Sequence, residues 1–481
     1  MSAPDQYFSP LAERYASHEM LTLWSPQRRH ALWRRIWLAL AECEKELGAD
    51  IPDEAIAAMR DHLDDIDFAR VAEHERRLRH DVMAHVHAFA DAAPAARRVI
   101  HLGATSADIT DNADLLLMRA GFGILRQKLI NVLRTLAAFA RAWRAEPTLG
   151  YTHLQPAQLT TVGKRATLWM QDLVLDLDVL DRFVDTLPFR GIKGTTGTQG
   201  SYLALFHGDH AKVQALDKTV TRRLGFSRSL PVTGQTYTRK LDASALDIIG
   251  GISASAAKFS GDVRLLQSYG EIDEPVEVGQ VGSSAMAYKR NPVRSERIAG
   301  LARFVQSLVP NANQTHSVQY FERTLDDSAN RRMVIPEAFL ATDAILLLMV
   351  NIAGGLQVHP KRIRRRVLAE LPFMATEEIL VRVVRNGGDR QAAHEAIRRH
   401  SRAATEAMHD GGESNDLLVR LAEDSAFPLD AVDLGSVADP SRYVGRAPEQ
   451  VDEFLVEVAE PLLGGTPDHG EGAENAAEVH V

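Results

Sequence analysis

The chain has 481 residues, a formal net charge of −9, 25% charged and 45% hydrophobic residues. This is the balance of an ordinary globular protein with a large core in roughly two to four domains, and it argues against nucleic acid as a partner, which would call for a basic face. The single Cys43 excludes an intrachain disulfide, and no basic segment followed by an apolar run opens the chain, so a reducing cytoplasm is the expected location.

Helix signals dominate from the start. Ser25 followed by Pro26 reads as an N-cap with proline at the first helical position, opening a helix that runs to Leu47 and stops at Gly48. The run Arg79-His80-Asp81-Val82-Met83-Ala84-His85-Val86-His87 invites a metal reading. No cysteine lies near, and the spacing fits a helix with His80 near its start, so no metal is expected. Three long stretches follow. Residues 111–146 end before Pro147, 160–187 end before Pro188, and 242–267 contain no proline; each predicts a helix of roughly 40 to 50 Å. Apolar positions such as Leu116, Ile124, Ile130, Leu133 and Leu136 form a stripe, which an extended antiparallel bundle would bury.

His153 precedes Pro156 and is expected at a loop-to-helix junction. Residues 189–237 break the helical rhythm with Gly191, Gly194, Gly197, Gly200 and Gly234, which suggests loops at one end of the bundle, where chemistry tends to sit. The apolar stretch at 345–355 is too short to cross a membrane and follows Asp343, so it reads as a buried helix. From residue 464 the chain is rich in Gly, Glu and Ala and reads as disordered.

The most informative stretch is Gly282-Ser283-Ser284-Ala285-Met286-Ala287-Tyr288-Lys289-Arg290-Asn291-Pro292. Two hydroxyls behind Gly279 and Gly282, followed by a cation and an amide, describe a mobile loop carrying a nucleophile or base; a plain surface loop is the alternative. Between Ser283 and Arg332 stand eight Lys or Arg against four Asp or Glu, an anion-binding excess inside a negatively charged chain, although such runs are often solvated faces.

The loop resembles the signature of the fumarase/aspartase superfamily, Gly-Ser-Ser-x-Met-Pro-x-Lys-x-Asn-Pro, with Ala287 in the place of the usual proline. Two further stretches are similar to that superfamily's other signatures: Leu102-Gly103-Ala104-Thr105-Ser106-Ala107-Asp108-Ile109-Thr110-Asp111-Asn112 and Thr152-His153-Leu154-Gln155-Pro156-Ala157-Gln158-Leu159-Thr160-Thr161. Together with the His80 run and Phe321-Glu322-Arg323-Thr324-Leu325-Asp326-Asp327-Ser328-Ala329-Asn330-Arg331-Arg332, these versions resemble the adenylosuccinate lyase family more than other branches such as argininosuccinate lyase.

The resemblance implies an all-α, three-domain subunit with a long central helical bundle. Its domains are expected at 1–110, 111–358 and 359–463, ahead of a disordered tail. It implies elimination of fumarate from adenylosuccinate, giving AMP, and from succinylaminoimidazole carboxamide ribotide, giving AICAR, with no cofactor. It also implies a homotetramer whose sites are shared between subunits, with no nucleic acid and no membrane as partners.

Such chemistry needs a base for a weakly acidic carbon proton, stabilisation of a carbanion-like intermediate and an acid for the departing nitrogen. By resemblance Ser283 is the base, His153 the acid poised by Glu296, and Lys289 and Asn291 serve the succinyl carboxylates. A serine alkoxide needs neighbouring cations and backbone N–H groups, which Lys289 and the glycines can supply. Also by resemblance, His80 and the substrate contacts Arg14, Tyr15, Arg79, Asp81, Thr105, Ser106, Gln235, Arg297, Arg323, Ser328 and Arg332 complete the site. The loss of proline at Ala287 bears on loop pre-organisation, not on chemistry. A catalytically silent scaffold on the same fold is the competing reading, and retention of Ser283, His153, Lys289 and Asn291 argues against it.

Overall fold

The computed structural model describes residues 5–464 apart from 278, 280–284, 287, 413, 426, 428–433 and 435–437. The described chain is predominantly helical, with two small two-stranded sheets. Helix α1 (Pro26–Glu46) begins as predicted: the Ser25 hydroxyl accepts from Arg28 N at 3.2 Å and Gly48 turns the chain at φ 96°. Helices α2 (Phe68–Leu78) and α3 (Asp81–Ala92) pair across a two-residue turn. Helix α4 (Ser106–Ala142) starts five residues before the predicted point, because Thr105 and Asp108 form a reciprocal capping box, with Asp108 Oδ2 accepting from Thr105 N at 2.9 Å. The expected domain boundary at 110/111 therefore falls inside a helix.

The helix stops at Ala142, four residues short of the predicted end at 146, and from Pro147 the chain forms an antiparallel hairpin, β1 (Pro147–Thr152) and β2 (Gln155–Thr161), that the sequence reading did not foresee. The signal was weak. Thr, Leu and Tyr supply β propensity, while Gly150 admits the close approach: a Cβ there would stand 2.6 Å from the Gln158 carbonyl oxygen. Helix α5 (Val162–Thr186) follows with Thr161 as its cap, and α6 (Lys240–Ser268) matches the third predicted helix. Between them residues 189–237 are not only loops; they include helices Gly200–Leu205 and His210–Arg223.

Two more long helices, α7 (Val293–Ser317) and α8 (Asp326–Gly355), contain Pro310 and Pro336 in their interiors. Packing outvotes the lost hydrogen bonds. Helix α8 is long and apolar enough to cross a membrane, but 78% of its apolar window is buried inside the fold, against α4, α6 and α7. The 345–355 stretch is thus the end of a central core helix, as its buried reading required. One apolar core runs from Leu11 through α1 and the five long helices to Ala459, and a second, smaller one holds Ile379, Val383, Ile397, Leu417 and Leu421 beyond helix α9 (Pro360–Met374). The tail from 465 lies outside the described residues.

One core residue conflicts with its surroundings. Glu44 on α1 is fully buried with no hydrogen-bond partner for either carboxylate oxygen among the described residues, and burial pushes its carboxyl up to about 8. The folded protein keeps Glu44 protonated where the unfolded chain ionises it above pH 4.5, so its contribution to stability is intact at low pH and is lost as pH rises to about 8. Glu44→Gln, which keeps the shape without the charge, is expected to match the wild type near pH 5. It should gain on it by up to about 1.4 kcal/mol per pH unit through that window. Urea unfolding of both proteins from pH 5 to 9 measures this; parallel stability curves would reject it.

Candidate active site

The turn between α2 and α3 is shaped by a residue in an uncommon conformation. Arg79 adopts the left-handed region (φ 56°, ψ 35°) and closes α2 through its N–H to the Glu75 carbonyl at 2.8 Å. The next residue, His80, is extended and caps α3, its Nδ1 accepting from Met83 N at 3.3 Å. That acceptor role places the proton of the neutral ring on Nε2. Asp81 takes the Val82 N–H at 2.7 Å and the Arg332 guanidinium of α8, also at 2.7 Å. Burial raises the Asp81 carboxyl, but Val82 N–H, Arg332 and His80 together outweigh it and hold the group below the usual range.

This turn forms one wall of a cleft of about 1190 Å³. Residues from α1, the first turns of α4 and the first half of α8 form the others. Of the residues expected at a site, Arg79, His80, Asp81, Ser106, Arg323, Ser328 and Arg332 line it. Gln235 adjoins it through its side-chain oxygen, which accepts from Arg323 Nη1 at 3.1 Å, and Thr105 caps the helix that begins with Ser106. Sequence reasoning missed an aromatic wall of Trp24, His30, Trp33, Phe68 and His85. The His30 and His85 rings stack with centroids 3.9 Å apart, and burial lowers them to about 3 and about 4, so both are neutral near pH 7. The three histidines of the 80–87 run thus diverge: His80 caps, His85 stacks on His30, and His87 lies against His74. Among the described residues no group of three His, Cys, Asp or Glu is arranged to hold a metal.

The floor is a largely buried ionic network that sequence reasoning also missed. Arg331 reaches Asp242 at 2.6 Å, Asp114 at 3.0 Å and the Tyr237 hydroxyl at 2.5 Å, while Arg239 reaches Asp327 at 2.7 Å and Asp111 at 3.1 Å. Burial alone would lower both guanidinium groups, yet the surrounding carboxylates raise them. Burial raises Asp114 in turn, against the pull of Arg331. The only hint in the sequence was Asp111 and Asp114 at i, i+3, one helix face.

The remaining expected residues that are described lie outside this cleft lining. His153 is at the exposed tip of the β1–β2 hairpin, not at a loop-to-helix junction; His153 and Leu154 both have positive φ (54° and 59°), a two-residue turn of the type that matches strand twist. Non-glycine residues there are strained on the order of 1 kcal/mol or more. Arg14 is exposed, and Tyr15 lies beneath the Arg297 guanidinium, 5.6 Å from ring centroid to carbon. Lys289 and Glu296 are exposed, and Asn291 is partly so. Ser283 and Ala287 lie outside the described residues. The loop that carries them is nonetheless closed at its base: the buried Glu274 carboxylate accepts from Arg294 N and from Ser295 N and Oγ, each at 3.0 Å, at the start of α7.

The family model described as Lyase matches residues 4–307, and the one described as Adenylosuccinate lyase C-terminus matches 372–454. Curated adenylosuccinate lyases include one from Saccharomyces cerevisiae, 51% identical over 94% of each chain, and one from Schizosaccharomyces pombe, 50% identical over 93% of this chain and 94% of that one. The chain belongs to the adenylosuccinate lyase family. It is accordingly a lyase. Solved structures of a fumarate lyase from Mesorhizobium sp. BNC1 (TM-score 0.79, 24% identity, 96% of this chain and 100% of that one) and a 3-carboxy-cis,cis-muconate lactonizing enzyme from Pseudomonas putida (TM-score 0.80, 22% identity, 94% and 98%) share the all-α fold.

His80 offers a test of the local geometry. His80→Ala removes the cap of α3 and is expected to lower stability by about 1 kcal/mol, whereas His80→Asn, itself a good cap, is expected to restore most of it. Chemical denaturation of the two variants decides; equal losses would mean that the imidazole does not act as the cap.

Proposed function

We propose that the protein eliminates fumarate from adenylosuccinate to give AMP, and likewise from succinylaminoimidazole carboxamide ribotide to give AICAR, in the cytoplasm and without a cofactor. The observation that carries this reading is the near-full-length similarity to curated adenylosuccinate lyases. A cleft rimmed by Arg79, Arg323 and Arg332, suited to phosphate and carboxylate, agrees with it.

In this mechanism the Ser283 alkoxide takes the proton from the succinyl carbon adjacent to the one bonded to nitrogen. The electron pair is held as a carbanion delocalised into the neighbouring carboxylate, against Lys289 and Asn291. It then forms the carbon–carbon double bond of fumarate as the C–N bond breaks, and His153, poised by Glu296, protonates the departing nitrogen. His80, with Arg14, Tyr15, Arg79, Asp81, Thr105, Ser106, Gln235, Arg297, Arg323, Ser328 and Arg332, orients the substrate.

This arrangement is completed only between subunits. His153 on an exposed hairpin tip does not line the cleft that gathers His80 and Arg323. Exposed Leu168, Leu175 and Val179 form a stripe on α5, with Leu265 on α6 and Phe304 on α7, the kind of apolar face that self-association covers. A homotetramer with shared sites satisfies both.

Ser283→Ala is expected to reduce fumarate release at least about 100-fold while calorimetry shows substrate affinity nearly unchanged, because the hydroxyl acts on a proton that moves only in the transition state. Retention of more than about a tenth of the wild-type rate would remove Ser283 from the role of base. Mixing inactive His153→Ala and Ser283→Ala proteins under subunit exchange is expected to restore activity at roughly a quarter of sites by random assortment. A mixture shown by native mass spectrometry to be hybrid, yet still inactive, would place both residues on one chain.

A further inference from the structure

The segment that carries Arg14 and Tyr15 is a short one that rests on α8, with Leu11 in the core and Tyr15 and Ala16 packed against it. Of residues 5–16 only Leu11 is buried, and the single turn Leu11–Tyr15 is closed by the Ala16 N–H on the Leu11 carbonyl. Tyr15 has a definite place, against Arg297 at the start of α7. A polar restraint is added by Ser17, two residues on from Tyr15. Its backbone N–H donates to Asp343 Oδ2 at 2.7 Å, and its hydroxyl accepts from Lys128 Nζ at 2.9 Å as well as from Met20 N at 3.2 Å. Lys128 of α4 and Asp343 of α8 are themselves ion-paired, with side chains 11% and 0% exposed.

A buried ion pair between two apolar helices is weak evidence of a need for stability, since apolar side chains of similar volume fill such a place at least as well. What an apolar pair cannot supply is the remaining hydrogen-bonding capacity. Here Asp343 spends its second oxygen, and Lys128 one of its protons, on Ser17. We propose that Lys128 and Asp343 are positioning residues for substrate binding, which seat Ser17 and thereby hold Arg14 and Tyr15 at the anionic end of the substrate. The proposal rests on the reading of Arg14 as a substrate contact.

The test uses the full-length oligomer and the double variant Lys128→Met/Asp343→Leu, which keeps the volume of the pair but loses its grip on Ser17. The expected result is a folded protein with KM for adenylosuccinate raised roughly tenfold, the order of one displaced charge-assisted contact, and kcat within about twofold of wild type. Hydrogen exchange in residues 8–17 is expected to accelerate. In an Arg14→Ala background the double variant is expected to raise KM no further, because both changes remove the same contact. A purely structural pair would leave KM at the wild-type value in the folded double variant, and that result overturns the proposal while leaving Arg14 in place. An Arg14→Ala protein with wild-type KM would instead overturn the reading of Arg14, and the proposal with it. If the double variant does not fold, Ser17→Ala decides. It is expected to raise KM without adding to Arg14→Ala, with Ser17→Thr restoring the wild-type value; an unchanged KM in Ser17→Ala overturns the proposal.

Discussion

Two arginines withdrawn from water set the geometry of this protein. Arg239 is buried, and Arg331 nearly so, where α4, α6 and α8 converge, and a cation so enclosed is tolerated only when carboxylates and hydrogen bonds surround it. Asp111 and Asp114 come from α4, Asp242 from α6 and Asp327 from α8. Three helices, each far longer than their shared junction, are thus held in register at one end, and that end is the floor of the cleft. Removing any one partner would strand a charge rather than merely empty a cavity, which makes the junction intolerant of slippage along the helices.

The walls follow from that floor. Helix α8 presents Arg332 to Asp81, which fixes the α2–α3 turn, and the turn in turn presents Arg79 and His80 to the same cleft. Ser106 enters as the first residue of α4, just after its N-cap Thr105. The polar rim is therefore a consequence of helix termini and caps gathered at one end of the bundle, while the aromatic wall of Trp33, His30 and His85 gives the cleft a neutral interior. A second buried ion pair, Lys128 with Asp343, joins α4 to α8 farther along and reaches the N-terminal segment.

The proposed catalytic groups are distributed differently from the proposed binding groups. The hairpin that carries His153 and the loop that carries Ser283 are both closed at their bases, by strand pairing in one and by Glu274 in the other, while the tip of the hairpin stands away from the cleft lining. A rigid base with an outlying tip would suit a group that serves the proposed site shared between chains, and the apolar stripe on α5 is the surface on which such assembly would rest.

Sequence alone determined the helical class, because apolar spacing, caps at Ser25 and stops at Gly48 are local properties of the chain. It also determined the family and the candidate residues, because the serine loop and the His153 and Thr105 segments are contiguous and specific. Helix boundaries at 160–187 and 242–267 agreed with the structure to within two residues for the same local reason. The hairpin was not legible, since its turn uses His153 and Leu154 rather than the glycine or asparagine that ordinarily announces positive φ. Nor were the full lengths of α7 and α8, whose internal prolines argue against a helix until burial overrides them. Only the tertiary structure decided that Asp111, Asp242, Asp327 and Arg239 meet, that His30 stacks on His85, and that Lys128 and Asp343 close on Ser17. These contacts join residues far apart in sequence, and no periodicity or motif encodes which buried charge will find which partner when the helices pack.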